Sequence, residues 1–451
     1  MRNRLPGLAF ALAITSITFA QTNNFSLHPE SDKQPSPTFT LKDALELAAK
    51  NDPTLIAATT DAEVARQDRR QARTALYPSL SGRSEYLGTE GNGKIPTGAF
   101  VTNDGVHVYR EWAVVHQDLS PGTFTRVAVQ RATALEALAR ARVEIARRGL
   151  APTVAKLYYG LLAAQRKYAT AQQALDQAQH ALTISQDLER GGEVAHSDVV
   201  KSELQQNAQQ QALNETQLGM ETARLDLAVL LFRDFNENFS IVDDLDLAPA
   251  LPPLPDVETM AGRENPILGA AIQTLRSAGL DVTLARQAFL PTFGVDAIYG
   301  IEANAIALES RDVAYKQDGP VSTPGYFIDA VLNIPMWDWG VRRSKLRQAE
   351  IKREQAQVEL SATERTLIRN LRGYYGDAQT ARQQVDLLRR AIDLASESLR
   401  LNTLRYQAGE ATVLELVDAQ TALIQSRNAY DDGMVRYRVA ISNLQTLTGN
   451  F

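Results

Sequence analysis

The sequence predicts a mainly α-helical protein with a membrane β-barrel portion: duplicated long helical hairpins plus four strands per chain, which close only with strands of other subunits. Three observations carry that reading. From Leu367 the apolar positions Leu371, Tyr374, Ala378, Ala381, Val385, Leu388, Ile392, Ala395 and Leu399 recur at alternating threes and fours, the heptad spacing that winds helices around one another. The same seam stands 217 residues earlier, from Leu157 through Leu161, Ala164, Tyr168, Ala171, Leu175 and Ala178 to Leu182. Between the helical stretches the apolar period drops to two, as in a strand with one apolar face.

Residues 1–20 read as a signal peptide. Met1-Arg2-Asn3-Arg4 is a basic head, and Leu5 to Ala20 is an apolar run too short and wrongly flanked for a membrane span. Cleavage after Ala20 meets the small-residue rule only loosely, through Thr18 and Ala20, and a retained N-terminal anchor is the alternative. Residues 21–37 are polar and contain proline, a flexible leader. A first structural repeat then covers 38–240 and a second covers 257–451. Residues 241–256 join them as a surface linker carrying Asp243, Asp244, Asp246 and four prolines.

Each repeat opens on helices. Leu41 to Lys50 and Pro53 to Leu76 are expected to be helical, with Asn51 or Asp52 capping and Pro53 in the first turn. Glu264-Asn265-Pro266 answers Asn51-Asp52-Pro53, and Pro291 answers Pro78, both pairs of prolines 213 apart. Such self-similarity marks a duplication rather than two independent domains.

A β-hairpin is expected next, over 79–118 and again over 292–336. In the second copy Phe293, Val295, Ala297, Tyr299 and Ile301 alternate with a mixed set, as do Tyr326, Ile328, Ala330, Leu332 and Ile334. Two strands of about ten residues suit a lipid-facing barrel wall, with Phe293, Val295, Tyr299, Ile328, Leu332 and Ile334 toward lipid. Ser79 to Leu87 and Val106 to Gln117 hold the same places less cleanly, with Arg110 on an otherwise apolar face. Four strands cannot close a pore. Two chains would give eight strands and a filled interior, and three would give twelve and room for a passage.

The long helical hairpins follow at 122–232 and 340–449. No proline lies between Pro335 and the C-terminus, and Gly340 to Ala408 as one helix would be about 100 Å long. The return arm continues the seam at Leu416, Leu423, Tyr430, Met434, Tyr437, Ile441 and Leu444. The hairpins turn at Gly191-Gly192-Glu193 and Ala408-Gly409-Glu410. Trp337 and Trp339 mark the corner where strand gives way to helix; they suit a membrane–water boundary or plain packing at that corner.

Little in the chain can do chemistry. Gly88-Thr89-Glu90-Gly91-Asn92-Gly93-Lys94 starts like a phosphate-binding loop, but Ile95 replaces the Ser/Thr that would hold magnesium, and a glycine-rich hairpin loop explains it. The five histidines show no metal-binding spacing, and there is no cysteine to form a disulfide or to be acylated. A net charge of −6 without a basic block argues against nucleic acid. No cofactor and no enzymatic activity are expected. The informative charges lie past the turns: Glu415 and Asp418 share a helical face, and Asp198 is the counterpart of Glu415. On a single chain they are a solvated face; around an opening ringed by several subunits they would attract cations and repel anions.

Taken together, these residues resemble the TolC-type outer-membrane efflux family. The resemblance runs from Leu41 to Gly449 and includes Leu41-Lys42-Asp43-Ala44-Leu45, Asn51-Asp52-Pro53, the Ala-Arg-x-Ala-x-x-Pro repeats and Trp339-Gly340. It also includes Arg405-Tyr406-Gln407-Ala408-Gly409-Glu410, leading into Leu414-Glu415-Leu416-Val417-Asp418-Ala419. It implies a homotrimer whose twelve-stranded barrel sits in outer-membrane lipid and continues as an α-helical tunnel through the periplasm. The implied role is the exit duct of a tripartite efflux or type I secretion system, with a periplasmic adaptor and an inner-membrane pump or exporter as partners. Glu415 and Asp418 match acidic rings at the periplasmic entrance, and Asp198 with Tyr406 matches a latch at the tip. Ala411 stands where some members have an arginine that completes the latch. Gly191, Gly192, Glu193, Ala408, Gly409 and Glu410 match the adaptor-docking tips. The competing expectation is a periplasmic coiled-coil adaptor or spacer, which would show one hairpin flanked by small β-rich domains.

Overall fold

The computed structural model describes residues 37–89, 106–233, 238–247, 249–303, 309–310, 321–322 and 324–449. The signal peptide, nearly all of the leader and most of the glycine-rich loop lie outside them.

Local rules account for where each helix starts. Strand β1 (Thr38–Phe39) leads to α1 (Leu41–Asn51), opened by a capping box in which Thr40 and Asp43 exchange side-chain bonds with each other's backbone N–H. Helix α2 (Pro53–Thr74) is capped by Asp52, which accepts from Leu55 N at 2.7 Å. Strands β2 (Ser79–Thr89) and β3 (Val106–Asp118) form the first hairpin, followed by a short α3 (Pro121–Thr125). The long α4 (Val127–Gly191) returns as α5 (His196–Leu231). The helix expected from residue 122 is thus interrupted at Arg126, whose φ of 53° breaks the helical path. Trp339 holds the same place before the second long helix, with φ of 54°. Helix α4 also carries Pro152 within its span.

Strand β4 (Ser240–Ile241) pairs in parallel with β1 and opens the junction. Helix α6 (Leu254–Glu264) precedes α7 (Pro266–Gln287), where Asn265 caps by accepting from Ile267 N and Leu268 N. Next come β5 (Thr292–Ala303), the small pair β6 (Glu309–Ser310) and β7 (Val321–Ser322), and β8 (Pro324–Asn333). The chain ends in α8 (Val341–Gln407) and α9 (Val413–Thr448).

The duplication recurs in side-chain bonds. In the first copy Asn51 Nδ2 donates to the carbonyl of Leu231, tying the start of the repeat to the end of its return helix. In the second, Asn265 Nδ2 donates to Leu447 O at 3.2 Å. One asparagine there both caps and ties, whereas Asp52 and Asn51 divide the tasks in the first copy.

A four-stranded antiparallel sheet has the order β2-β3-β5-β8, so the two copies join at β3–β5. The core lies elsewhere, along the helical seams and where α1, α4 and α5 meet the junction. Tyr158, Tyr159, Leu161, Leu162, Leu227 and Leu231 are fully buried there. Tyr158 Oη donates to Phe39 O and Val242 O, so β1 and β4 are pinned by one phenol.

The linker over 241–256 is bound more tightly than a surface linker. Leu245 is fully buried, and Arg438 donates to its carbonyl while stacking on Tyr159 at 4.8 Å. Arg166 of α4 pairs with Asp243 and Asp246 at 2.8 Å and with Asp431 of α9 at 3.2 Å. The linker's acidic run, still partly exposed, is the counter-charge of arginines distant in sequence.

Candidate functional site

The hairpin tips are built twice from one local rule. At the end of α4, Gly192 has φ of 75°, and Glu193 N donates to Leu188 O at 2.9 Å. At the end of α8, Gly409 has φ of 71°, and Glu410 N donates to Arg405 O at 2.8 Å. Both are left-handed helix ends in which glycine avoids the Cβ penalty.

Beyond the second turn, Thr412 caps α9 in a capping box whose N3 member is Glu415. Arg405, in the last turn of α8, reaches across to Glu415 at 3.1 Å and to Glu410 O at 3.2 Å. Glu415 is therefore a fastener of this turn as well as a charge near the tip. Asp418 is exposed, one turn further on the same helix.

The tips of the two copies pack together. Tyr406, Val413 and Leu416 are buried against Ala181, Ile184 and Leu188 of α4. Tyr406 is 2% exposed, and its hydroxyl lies 2.7 Å from Ser185 Oγ, which lies 2.8 Å from Ser202 Oγ. The phenol expected to meet Asp198 thus meets a buried serine pair within this chain. Asp198 sits in the first turn of α5 and takes Lys201 at 3.1 Å. Sequence reading missed Ser185 and Ser202; the signal was two small hydroxyl residues at seam positions facing each other across the first turn.

The sheet register brings the apolar alternation of separate strands onto one face. Phe293 opposes Leu332, Val295 opposes Ala330, Ala297 opposes Ile328 and Tyr299 opposes Tyr326. Val115 and Leu80 continue the row opposite Ala297. Ile334 lies one residue past β8. Tyr299, Ile328 and Leu332 are more than half exposed on the single chain, a contiguous apolar surface that a soluble monomer rarely shows.

The opposite face is mixed. Arg110, Glu85 and Glu302 share a rung, with Arg110 3.0 Å from each carboxylate. Those bonds keep the guanidinium among acids and explain a charge in an otherwise apolar set. His116 meets Asp296 at 2.5 Å on the same face, and Trp112 meets Phe327 edge-on. Among the described residues no group of acids and histidines could hold a metal, and no helix is long and apolar enough to cross a membrane.

The sequence profile of the family described as "Outer membrane efflux protein" matches residues 44–231 and 259–450, one stretch for each repeat. The chain is an outer membrane efflux protein. Among curated relatives, this efflux protein is 24% identical to outer membrane protein OprJ of Pseudomonas aeruginosa over 71% of its own length and 65% of OprJ. It is 23% identical to the cobalt-zinc-cadmium resistance protein CzcC of Cupriavidus metallidurans, over 94% of the chain and 93% of that relative. Its fold is that of the CmeC outer membrane channel of Campylobacter jejuni, with a TM-score of 0.75, 17% identity, and coverage of 94% of this chain and 90% of the other. The efflux protein belongs in the outer membrane. The one-hairpin adaptor expected as the competitor is set aside by the same match.

Proposed function

We propose that three copies of this efflux protein form a twelve-stranded barrel continued by a helical tunnel, the exit duct of a tripartite system. The observation that carries the reading is the pair of free sheet edges. Among the described residues, strands β2 and β8 each lack an outer neighbour in the four-stranded sheet, and exposed edges of that length are normally paired. The junction β3–β5 within the chain, flanked by α4 against α7, is the template for β8 meeting β2 of the next copy. Repeating it three times gives twelve strands, enough to leave a passage.

In this arrangement the Phe293–Leu332 face meets lipid and the Arg110–Glu302 face lines the passage. The tips at Gly192 and Gly409 dock a periplasmic adaptor, which joins the duct to an inner-membrane pump. Asp418 and Glu415 ring the narrow entrance. A duct selects weakly, and the name of CzcC does not fix the cargo here.

Two measurements test the proposal. Detergent extraction of outer membranes with sizing should give a heat-labile trimer, and a monomer would overturn the assembly. Gly192→Val with Gly409→Val should leave that trimer in place and abolish export, since β-branched residues at positive φ distort the turns. Normal export by the double variant would remove the docking role.

A further inference from the structure

The last turns of α2 and the corner before α4 enclose a groove of about 670 Å³. Arg66, Arg69, Arg70, Arg73 and Arg126 line it, with Tyr77 beside them. Arg66 pairs with Glu63 at 3.2 Å, and Arg69 with the buried Glu136 at 2.6 Å. Arg70, Arg73 and Arg126 have no acidic partner among the described residues. Like charges gathered this way repel one another unless an anion joins them.

The second copy shows that packing does not require them. There the positions of Arg66, Arg69, Arg70 and Arg126 are held by Gly279, Val282, Thr283 and Trp339, and only Arg286 answers Arg73. The corner nevertheless takes the same path, with φ of 53° at Arg126 and 54° at Trp339. The arginines are an addition of the first copy.

Their place says what they meet. Tyr77 lies two residues before β2, at the edge where Ser79 opposes His116 and Thr292 opposes Asn333. All four strands meet the helices at that edge, and Trp337 and Trp339 are exposed at the same level. In the duct proposed above, on which this inference rests, that level is the periplasmic surface of the outer membrane.

We propose that the groove binds the phosphate of an anionic glycerophospholipid from the inner leaflet. Guanidinium forks grip phosphate oxygens bidentately, and basic pockets beside membrane segments take anionic headgroups. Tyr77 supplies an aromatic ring at headgroup depth, where aromatic residues are enriched.

The test uses the full-length protein in nanodiscs of phosphatidylcholine with a minor fraction of phosphatidylglycerol. Native mass spectrometry reads bound lipid in the wild type and in Arg70→Gln, Arg73→Gln, Arg126→Asn. The wild type should retain phosphatidylglycerol, and the triple variant should hold it about tenfold more weakly, having lost several charged hydrogen bonds. Arg190→Gln with Arg400→Gln, which removes charge far from the corner, should retain lipid as the wild type does. Equal retention by the triple variant in an intact trimer overturns the lipid site alone. Displacement of the lipid by an equal concentration of inorganic phosphate would make the groove a free-anion site and overturn the lipid assignment. Sizing of the same preparation reports assembly separately, and loss of the trimer in the wild type would overturn the duct together with this site.

Discussion

The hydroxyl of Tyr406 lies 2.7 Å from that of Ser185, and both side chains are buried between the tip of the second hairpin and the end of α4. This bond joins the two halves of the duplicated chain at the tips of their helical hairpins. Separating the tips would strip it, together with the Val413 and Leu416 contacts, from its partners. Tyr406→Phe leaves Ser185 bonded to Ser202 and should weaken tip closure by about 1 kcal/mol. In planar bilayers it should raise conductance several-fold, whereas Asp198→Ala should not. The reverse ranking would return the latch to Asp198.

If Glu415 and Asp418 ring an entrance as proposed, they should not contribute equally. Glu415 is already held by Arg405 and by its own capping box, while Asp418 is exposed. Glu415→Gln keeps a residue able to cap and should alter ion preference modestly. Asp418→Asn should remove most of the cation preference and block by multivalent cations from the periplasmic side. Unchanged selectivity in the double variant would make both residues an ordinary helix face.

The proposed barrel wall offers a contrast of faces. Arginine toward lipid costs about 2–4 kcal/mol near the bilayer midplane. Ala297→Arg and Ala330→Arg should therefore lower the amount of trimer in the outer membrane. Asp329→Arg, on the opposite face opposite Asp296, should assemble. Equal yields from all three would refute the assigned faces.

Within the sheet, Gly300 has no room for a side chain. A Cβ there would sit 2.0 Å from the carbonyl oxygen of Glu111, a backbone atom that cannot move aside alone. Gly300→Ala should break or shift the β3–β5 pairing and reduce assembly. Gly82→Ala, in β2 with open space around it, should behave as the wild type. Trimer yield after mild extraction compares the two.

Arg166 ties α4 to the linker and to α9, and its carboxylate partners titrate in opposite senses. Burial raises the pKa of Asp431 against the pull of Arg166, so this group adds stability as pH falls through its folded value. The hydrogen bond from Arg166 lowers the pKa of Asp246, so its contribution is complete above the ordinary carboxylate range and is lost as pH falls through the depressed value. Asp431→Asn should raise the melting temperature at neutral pH, with the gain shrinking on acidification. Arg166→Met should lower stability by about 1–3 kcal/mol. A stability loss from Asp431→Asn at neutral pH would show that the buried charge is needed.

The sequence by itself determined the repeat, the seams and the strand alternation, because each is a period written along one chain. Ala378, Ala381, Met434, Tyr437 and Ile441 are buried where the spacing put them, and glycine marked both turns because left-handed backbone demands it. Tertiary structure alone decided which residues from distant stretches meet. Ser185 and Tyr406 are 221 positions apart, and Arg166 and Asp431 are 265 apart. A hydroxyl or a carboxylate shows in sequence only that it needs a partner, and several nearby groups could serve. The family resemblance paired Tyr406 with Asp198, whereas within one chain its hydroxyl bonds to Ser185. The packing of α9 against α4 brings the end of α8 to Ser185, and the phenol bonds there.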